Sequence, residues 1–305
     1  MANKRVFQAQ ALTVNTVAVG GLARISFDAT YRDVIRSRPD GAFGVEDVDR
    51  TGLVIGVTID CTDVVKINQL LASTPGDMTF YAKESGTATF HKYTIVSADA
   101  KTVLTGGRLS FPKNADGTLS LSGRLAVTDG TKDLKDVLKV DDAEAAPVLT
   151  YPVRLQRPHN ASFDPDGADP AIAPIHLESV ELSLDAVVID DYADADVAVT
   201  AVDVVGWNPL RTTFSHKDAS PSGVVPIGDI SGKLMGAVRG VLTVLLLGRG
   251  GAANKTLTVN NLLFTGARPE FGDGYGTFGM SGESGWKNGA TTYAMNSGTK
   301  LFQIA

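Results

Sequence analysis

The feature that most constrains this chain is its likeness to itself. Residues 117–123 read GTLSLSG and residues 276–282 read GTFGMSG, each after a phenylalanine and a turn, Phe111 before PKNAD and Phe271 before GDGY. Further segments match in the same order. LARISFDATYRD finds its counterpart in LESVELSLDAVV, with Ile25–Ala29 set over Leu182–Ala186, and MTFYAKESGTATFHKYTIVSA in LTVLLLGRGGAANKTLTVNNLLFTGA. The separations are nearly constant: 157 residues from Asp28 to Asp185, 164 from Met78 to Leu242, and 159 from Gly117 to Gly276. Ordered matches at one spacing are the mark of a tandem duplication.

Within each half the patterning is that of strands. Leu22, Ile25, Phe27 and Ala29 stand against Arg24, Ser26, Asp28 and Thr30 at about period two, which reads as a half-buried strand. A second strand, rich in Val and Ile, runs from Thr51 to Cys61. Val64, Val65, Ile67, Leu70 and Leu71 then fall at helical spacing, with Asp60 or Thr62 as cap and STPG (73–76) as stop. Strands follow at 78–83 and 87–96, then a hairpin of 103–111 with 118–127 around PKNADG. TKDLKDVLKV (131–140) reads as a short amphipathic helix and 141–147 as a linker. In the second half a helix-like stretch surrounds Lys233, Leu234 and Met235.

Composition agrees with this reading and removes several functions. Of 305 residues, 43% are hydrophobic and 20% charged, as in ordinary globular chains, so wholesale disorder is not expected. Thirty-two glycines and few aromatics suit a β-rich chain with many turns. A formal charge of -6 gives no electrostatic reason to grip nucleic acid. The single cysteine, Cys61, excludes an internal disulfide and multi-cysteine zinc, and its place at the end of LVIGVTIDC makes it a core thiol. MANKRVFQAQ carries no secretory signature, and no apolar run approaches the ~20 residues that cross a bilayer. A cytosol-like site of synthesis and no membrane partner are expected.

No constellation in the chain points to catalysis. His91, His159, His176 and His216 stand singly, read as surface or strand-face residues. No GxSxG elbow or phosphate loop is present, and GRGG (248–251) joins two strands. The best metal candidate is Asp164, Asp166 and Asp169 in DPDGAD, carboxylates around a glycine turn of the kind calcium prefers. It lacks the closing glutamate of an EF-hand, so a plain turn is the stronger reading; no cofactor is expected. The acids of EDVD (46–49) and DDYAD (190–194) could pair as general acid and base, yet solvated loop charges fit them better. Trp207 and Trp286 could stack a sugar in a glycan-binding module, with packing again preferred.

Long strands carrying a polar loop, one short helix between strands, and a Gly/Ser/Thr-rich hairpin resemble the tail tube proteins of bacteriophages. The likeness is carried by residues 20–71, GGLARISFDATYRDVIRSRPDGAFGVEDVDRTGLVIGVTIDCTDVVKINQLL. What it implies is a mainly β chain of two tandem β-sandwich or β-barrel domains of tail-tube type, each with a short flanking helix. The expected bounds are 1–141 and 148–282, followed by a C-terminal arm over 283–305. The implied function is a structural virion protein, assembled in the host cytoplasm, that forms stacked rings through which DNA passes unbound. Strands of neighbouring subunits would join around a neutral to negative bore. Two geometries are open: three chains in a pseudo-hexameric ring, as in a hub or adaptor, or six with the second domain outside or stacked. Partners would be other copies and other tail or baseplate proteins. Contacts are expected in the loop from Arg36 through Asp40 and Glu46 to Asp49, in its counterpart at Asp190 and Asp194, and in the arm with Lys300. The alternative is a virion-decorating or glycan-binding sandwich.

Overall fold

The computed structural model describes residues 7–37, 45–149, 151–152, 154–167, 169–191, 198–217, 229–250, 252–270 and 277–305. With 64% of the described residues in strands and 8% helical, the chain is mainly β, built of large antiparallel sheets. The first half runs β1 (Phe7–Val14), β2 (Val17–Val19), β3 (Leu22–Ser37), β4 (Val45–Cys61), α1 (Ile67–Leu71) behind a 3-10 turn, β5 (Met78–Glu84), β6 (Phe90–Ile95), β7 (Ala100–Phe111), β8 (Thr118–Val127), α2 (Leu134–Val137) and β9 (Lys139–Glu144). The second half runs β10 (Leu155–Pro165), β11 (Ile172–Asp191), β12 (Ala201–Trp207), β13 (Leu210–Lys217), α3 (Asp229–Gly236), β14 (Gly240–Gly248), β15 (Lys255–Glu270) and β16 (Thr277–Ser284). The short strands β17 (Lys287–Asn288), β18 (Thr291–Thr292) and β19 (Phe302–Ile304) complete it. Alternation dictates these strands: Leu53, Ile55, Val57, Ile59 and Cys61 of β4 are each at most 2% exposed on one face.

Five strands form one sheet in the order β2-β1-β5-β6-β9, and a larger sheet runs β10-β14-β15-β16-β13-β11-β7-β8-β4-β3. The second half repeats the first. The run β7-β8-β4-β3 recurs as β15-β16-β13-β11, and β1-β5-β6-β9 as β10-β14-β15-β19, with α1 and α3 each placed before the strand that returns to the smaller layer. One strand, β15, does the work of two. Its first part pairs with β14 and its last part with β16, whereas β6 and β7 are separate strands.

Shared irregularities fix the correspondence. A bulge lies between Leu104 and Gly106 opposite Gly123, and another between Phe264 and Gly266 opposite Gly282. In β3 the register shifts between Leu22 and Arg24, and in β11 between Leu177 and Ser179. The β3–β11 match is therefore Leu22 over Leu177, a separation of 155 residues. Setting Ile25–Ala29 over Leu182–Ala186 is two residues out, because identity of ISFDA-like letters ignores the shared bulge.

The halves are not separate layers. β7 pairs with β11 from Phe111 opposite Val180 to Gly106 opposite Asp185, so one sheet crosses the middle of the molecule. The core is continuous too, from Val14 and Ile59 through Phe111 and Leu182 to Phe163 and Phe302, all at most 1% exposed. Each such side chain contributes roughly 1.5–3 kcal/mol of burial.

Several expectations are corrected at the chain level. Within the stretch 36–49 the described residues, 36–37 and 45–49, are strand in a long hairpin, with Arg36 opposite Asp47 and Val34 opposite Asp49, and residues 38–44 lie outside the described set. Part of the expected linker is β9, paired with β6. Asp63, not Asp60 or Thr62, precedes the helical turn, and its carboxylate accepts from the Gly20 N–H at 3.0 Å instead of capping. Burial raises its pKa above the ordinary range.

Candidate assembly surface

One face of the large sheet packs on the core; the other is polar. Cross-strand registers lay out a row Arg24–Asp60–Ser120–Arg108–Ser183–Arg211–Glu283 from β3 across the molecule to β16. Alternation puts Asp28, Arg124, Glu181, Asp185 and Arg268 on the same face. Among these residues five arginines stand with five carboxylates (Asp28, Asp60, Glu181, Asp185, Glu283), so the charges that these rungs lay out are balanced. Such a face has little pull on a polyanion, since nucleic-acid affinity grows with uncompensated Lys and Arg at phosphates.

Pairs across strands hold these charges in place. Arg108 Nη2 donates to Glu181 Oε2 at 2.7 Å across the β7–β11 seam, and Ser120 Oγ to Asp60 Oδ1 at 2.7 Å. Arg211 Nε lies 3.7 Å from Glu283 Oε1. At the rim Lys113 and Lys217 converge on Glu178 at 2.5 and 3.3 Å, and Lys113 first of all holds that carboxyl below its ordinary range.

The sheet is also sheared. A line of rungs entering at Gly266 passes Ser281, Thr213 and Glu181 and leaves at Ser110. Gly106 is the bulge counterpart of Gly266, so the line drifts from position 106 to position 110 over one unit of four strands. Four residues at ~3.3 Å against four spacings of ~4.8 Å give a strand tilt of about 35°. Closed barrels require tilts of that size.

Of the strand edges left unpaired among the described residues, two correspond to the two sides of the internal seam. β3 pairs with β4 alone, and β15 beyond Leu262 pairs with β16 alone. Open edges are ready templates for another chain.

The expected contact residues are distributed differently. Arg36, Glu46 and Asp49 lie in the β3–β4 arm; Asp40 and Asp194 lie outside the described residues. Asp190 is not presented outward. It sits where β11 pairs with β12, ion-paired with Arg124, as the second half's arm crosses the first half. There Val127 N–H donates to Val199 O at 2.8 Å and Val199 N–H to Leu53 O at 3.0 Å, over a cluster of Val103, Ala126, Val199 and Val202. The 283–305 segment packs on its own chain. Leu301 and Phe302 are fully buried, the Lys300 carbonyl accepts from Asn260 Nδ2, and Asn68 of α1 donates to the carbonyls of Met295 and Phe302 at 2.7 and 2.9 Å.

Other candidates resolve into structure. Asp164, Asp166 and Asp169 are exposed around the β10–β11 turn, with Asp166 Oδ2 accepting from Asn288 Nδ2 at 3.0 Å. Among the described residues no three His, Cys, Asp or Glu side chains are placed to hold a metal. His91 and His216 are strand residues but buried, not surface, bonded to Asp142 at 2.7 Å and Ser231 at 3.1 Å. Cys61 is 1% exposed, and burial pushes its thiol up to about 12. Trp207 and Trp286 pack against the core, and Trp286 Nε1 donates to Asn208 O at 3.0 Å.

What sequence reasoning missed is the seam. LTGGRLSF (104–111) and FTGARPEF (264–271) share T-G-x-R-x-x-F, and that match marks both the paired strand β7 and the open strand β15. No described helix is long and apolar enough to cross a membrane. No protein-family model matches this chain, and no curated protein matches it.

Proposed function

We propose that this chain is a structural protein that closes with copies of itself into a ring around a bore, as its resemblance to phage tail tube proteins implies. DNA would pass through without being held. The observation that carries this reading is the internal seam. Two copies of one strand order are already joined edge to edge in a single tilted sheet, with matching edges left open at its two ends. The balanced charge of the polar face suits a wall that must let a polyanion slide.

Side-by-side units favour the hub or adaptor form of this reading, in which three chains supply six tube-type units, over a six-chain ring with the second unit outside. Twenty-four strands at that tilt enclose a backbone diameter of roughly 45 Å. A glycan-binding module fares worse, because both tryptophans are spent in packing. Negative-stain micrographs of the purified protein test the proposal. Rings or short tubes with a central bore are the expected result; compact single chains at high concentration would overturn it.

A further inference from the structure

Resting on the ring reading, we propose that copies join through a second seam that repeats the one inside the chain. β3 of one copy pairs antiparallel with the last part of β15 of the next, placing Asp28 opposite Arg268. The register follows from the shared bulges. In the internal seam Glu181 faces Ser110, Ser183 faces Arg108 and Asp185 faces Gly106. Leu22 corresponds to Leu177 and Gly106 to Gly266, so Ser26 faces Glu270, Asp28 faces Arg268 and Thr30 faces Gly266.

Three independent features fit a second copy as the occupant. The first is charge. Where the internal seam has the diagonal pair Arg108–Glu181, the copied register sets Asp28 directly opposite Arg268, an opposite-charge rung of the kind that stabilises antiparallel pairs. Pro269 takes the place of Leu109 and brings no N–H, so the copied strand has one donor fewer and leans more on that pair.

The second is incomplete burial. Val180, Leu182 and Leu184 of β11 are each 1% exposed, covered by the neighbouring strand, whereas their β3 counterparts Ile25 and Phe27 are half-buried and Ala29 is exposed. A groove of 420 Å³ lined by Ala29, Tyr31, Leu134 and Leu138 flanks this edge. The third lies on the facing side. An added Cβ at Gly107, beside Leu184, would touch Leu71 of α1 at 3.4 Å, so Leu71 backs the internal seam. Leu70–Leu71 of α1 corresponds to Leu234–Met235 of α3, and Met235 is 41% exposed while Leu71 is 6%. In the copied seam Met235 of one copy would cover the groove at Ala29 and Tyr31 of the next.

The test uses the full chain, whose own thiol is buried. The variant Ser26→Cys with Glu270→Cys, oxidised and run without reductant, is expected to give covalent multimers. The pair Ser26→Cys with Arg268→Cys, two residues out of register, should give at least tenfold less. Crosslinking by the shifted pair instead overturns the register. Rings in micrographs without crosslinks from either pair overturn the seam while the ring reading stands; neither rings nor crosslinks overturns both. Separately, Asp28→Arg, at an exposed position, is expected to abolish rings at unchanged circular dichroism, and Arg268→Asp added to it to restore them. Rings that survive the single change, or stay lost in the double variant, overturn the charge pair.

Discussion

At the scale of single residues, the repeated motif ends in glycine for a reason visible in both halves. In both halves the glycine lies opposite a bulge in the facing strand, between Leu104 and Gly106 and between Phe264 and Gly266, close against that strand's backbone. A Cβ on Gly123 would lie 2.8 Å from Val103 O, and one on Gly282 would lie 2.7 Å from Leu263 O. Neither backbone atom can move without disturbing its ladder. Gly279, in the same motif, has nothing nearer than 3.7 Å. Gly123→Ala and Gly282→Ala should therefore each destabilise the protein by about 1–3 kcal/mol, while Gly279→Ala should be neutral or slightly stabilising because the unfolded chain loses freedom. Denaturant midpoints of the three variants check this; equal effects at all three positions would refute the bulge explanation. The motif was legible in the sequence as a repeat. Its cause was not, because a bulge leaves no mark in hydrophobic alternation.

At the scale of elements, strands with one buried face were readable, and the polar ones were not. β4 from Leu53 onward alternates cleanly, but 45–50 is VEDVDR, whose acids look like a loop although the segment pairs with 33–37, with a register shift at Glu46. A ladder is made by backbone groups, so a run of acids can pair as well as an apolar run, and its letters do not separate it from a loop. The C-terminal segment misled for a related reason. Its polar Gly/Ser composition reads as an arm, yet two residues, Leu301 and Phe302, anchor it in the core. The tie to the first half is Asn68, 6% exposed, whose amide bonds two carbonyls of that segment. Asn68→Ala leaves both acceptors without that donor, a loss of about 1–3 kcal/mol. The expected signature is local as well as global: trypsin should release the last residues from the variant faster than from the parent. Unchanged cleavage would mean β19 is held by β15 alone.

At the scale of the whole molecule, the seam decides whether the two halves can be treated as separate bodies. The sequence repeat suggests two domains with a linker, and separate domains would melt separately. In the structure Leu109 faces Leu182 in the seam, both at most 1% exposed, and the core runs through them without a break. Unfolding either half would strip a strand from the other's sheet and open its core, so the states with one half folded carry the full loss of the seam. Calorimetry should accordingly show one transition, with equal van't Hoff and calorimetric enthalpies. Leu182→Ala, a deletion costing about 2–5 kcal/mol, should lower that transition as a whole instead of splitting it. Two resolved transitions in the parent would mean the seam is too weak to couple the halves. It would then be a poor template for the contact between copies, because the same β11–β7 geometry underlies both. The same logic applies to fragments. The first half expressed alone would present the β7 edge bare beside the exposed backing of Leu71, and should associate or precipitate where the full chain stays soluble.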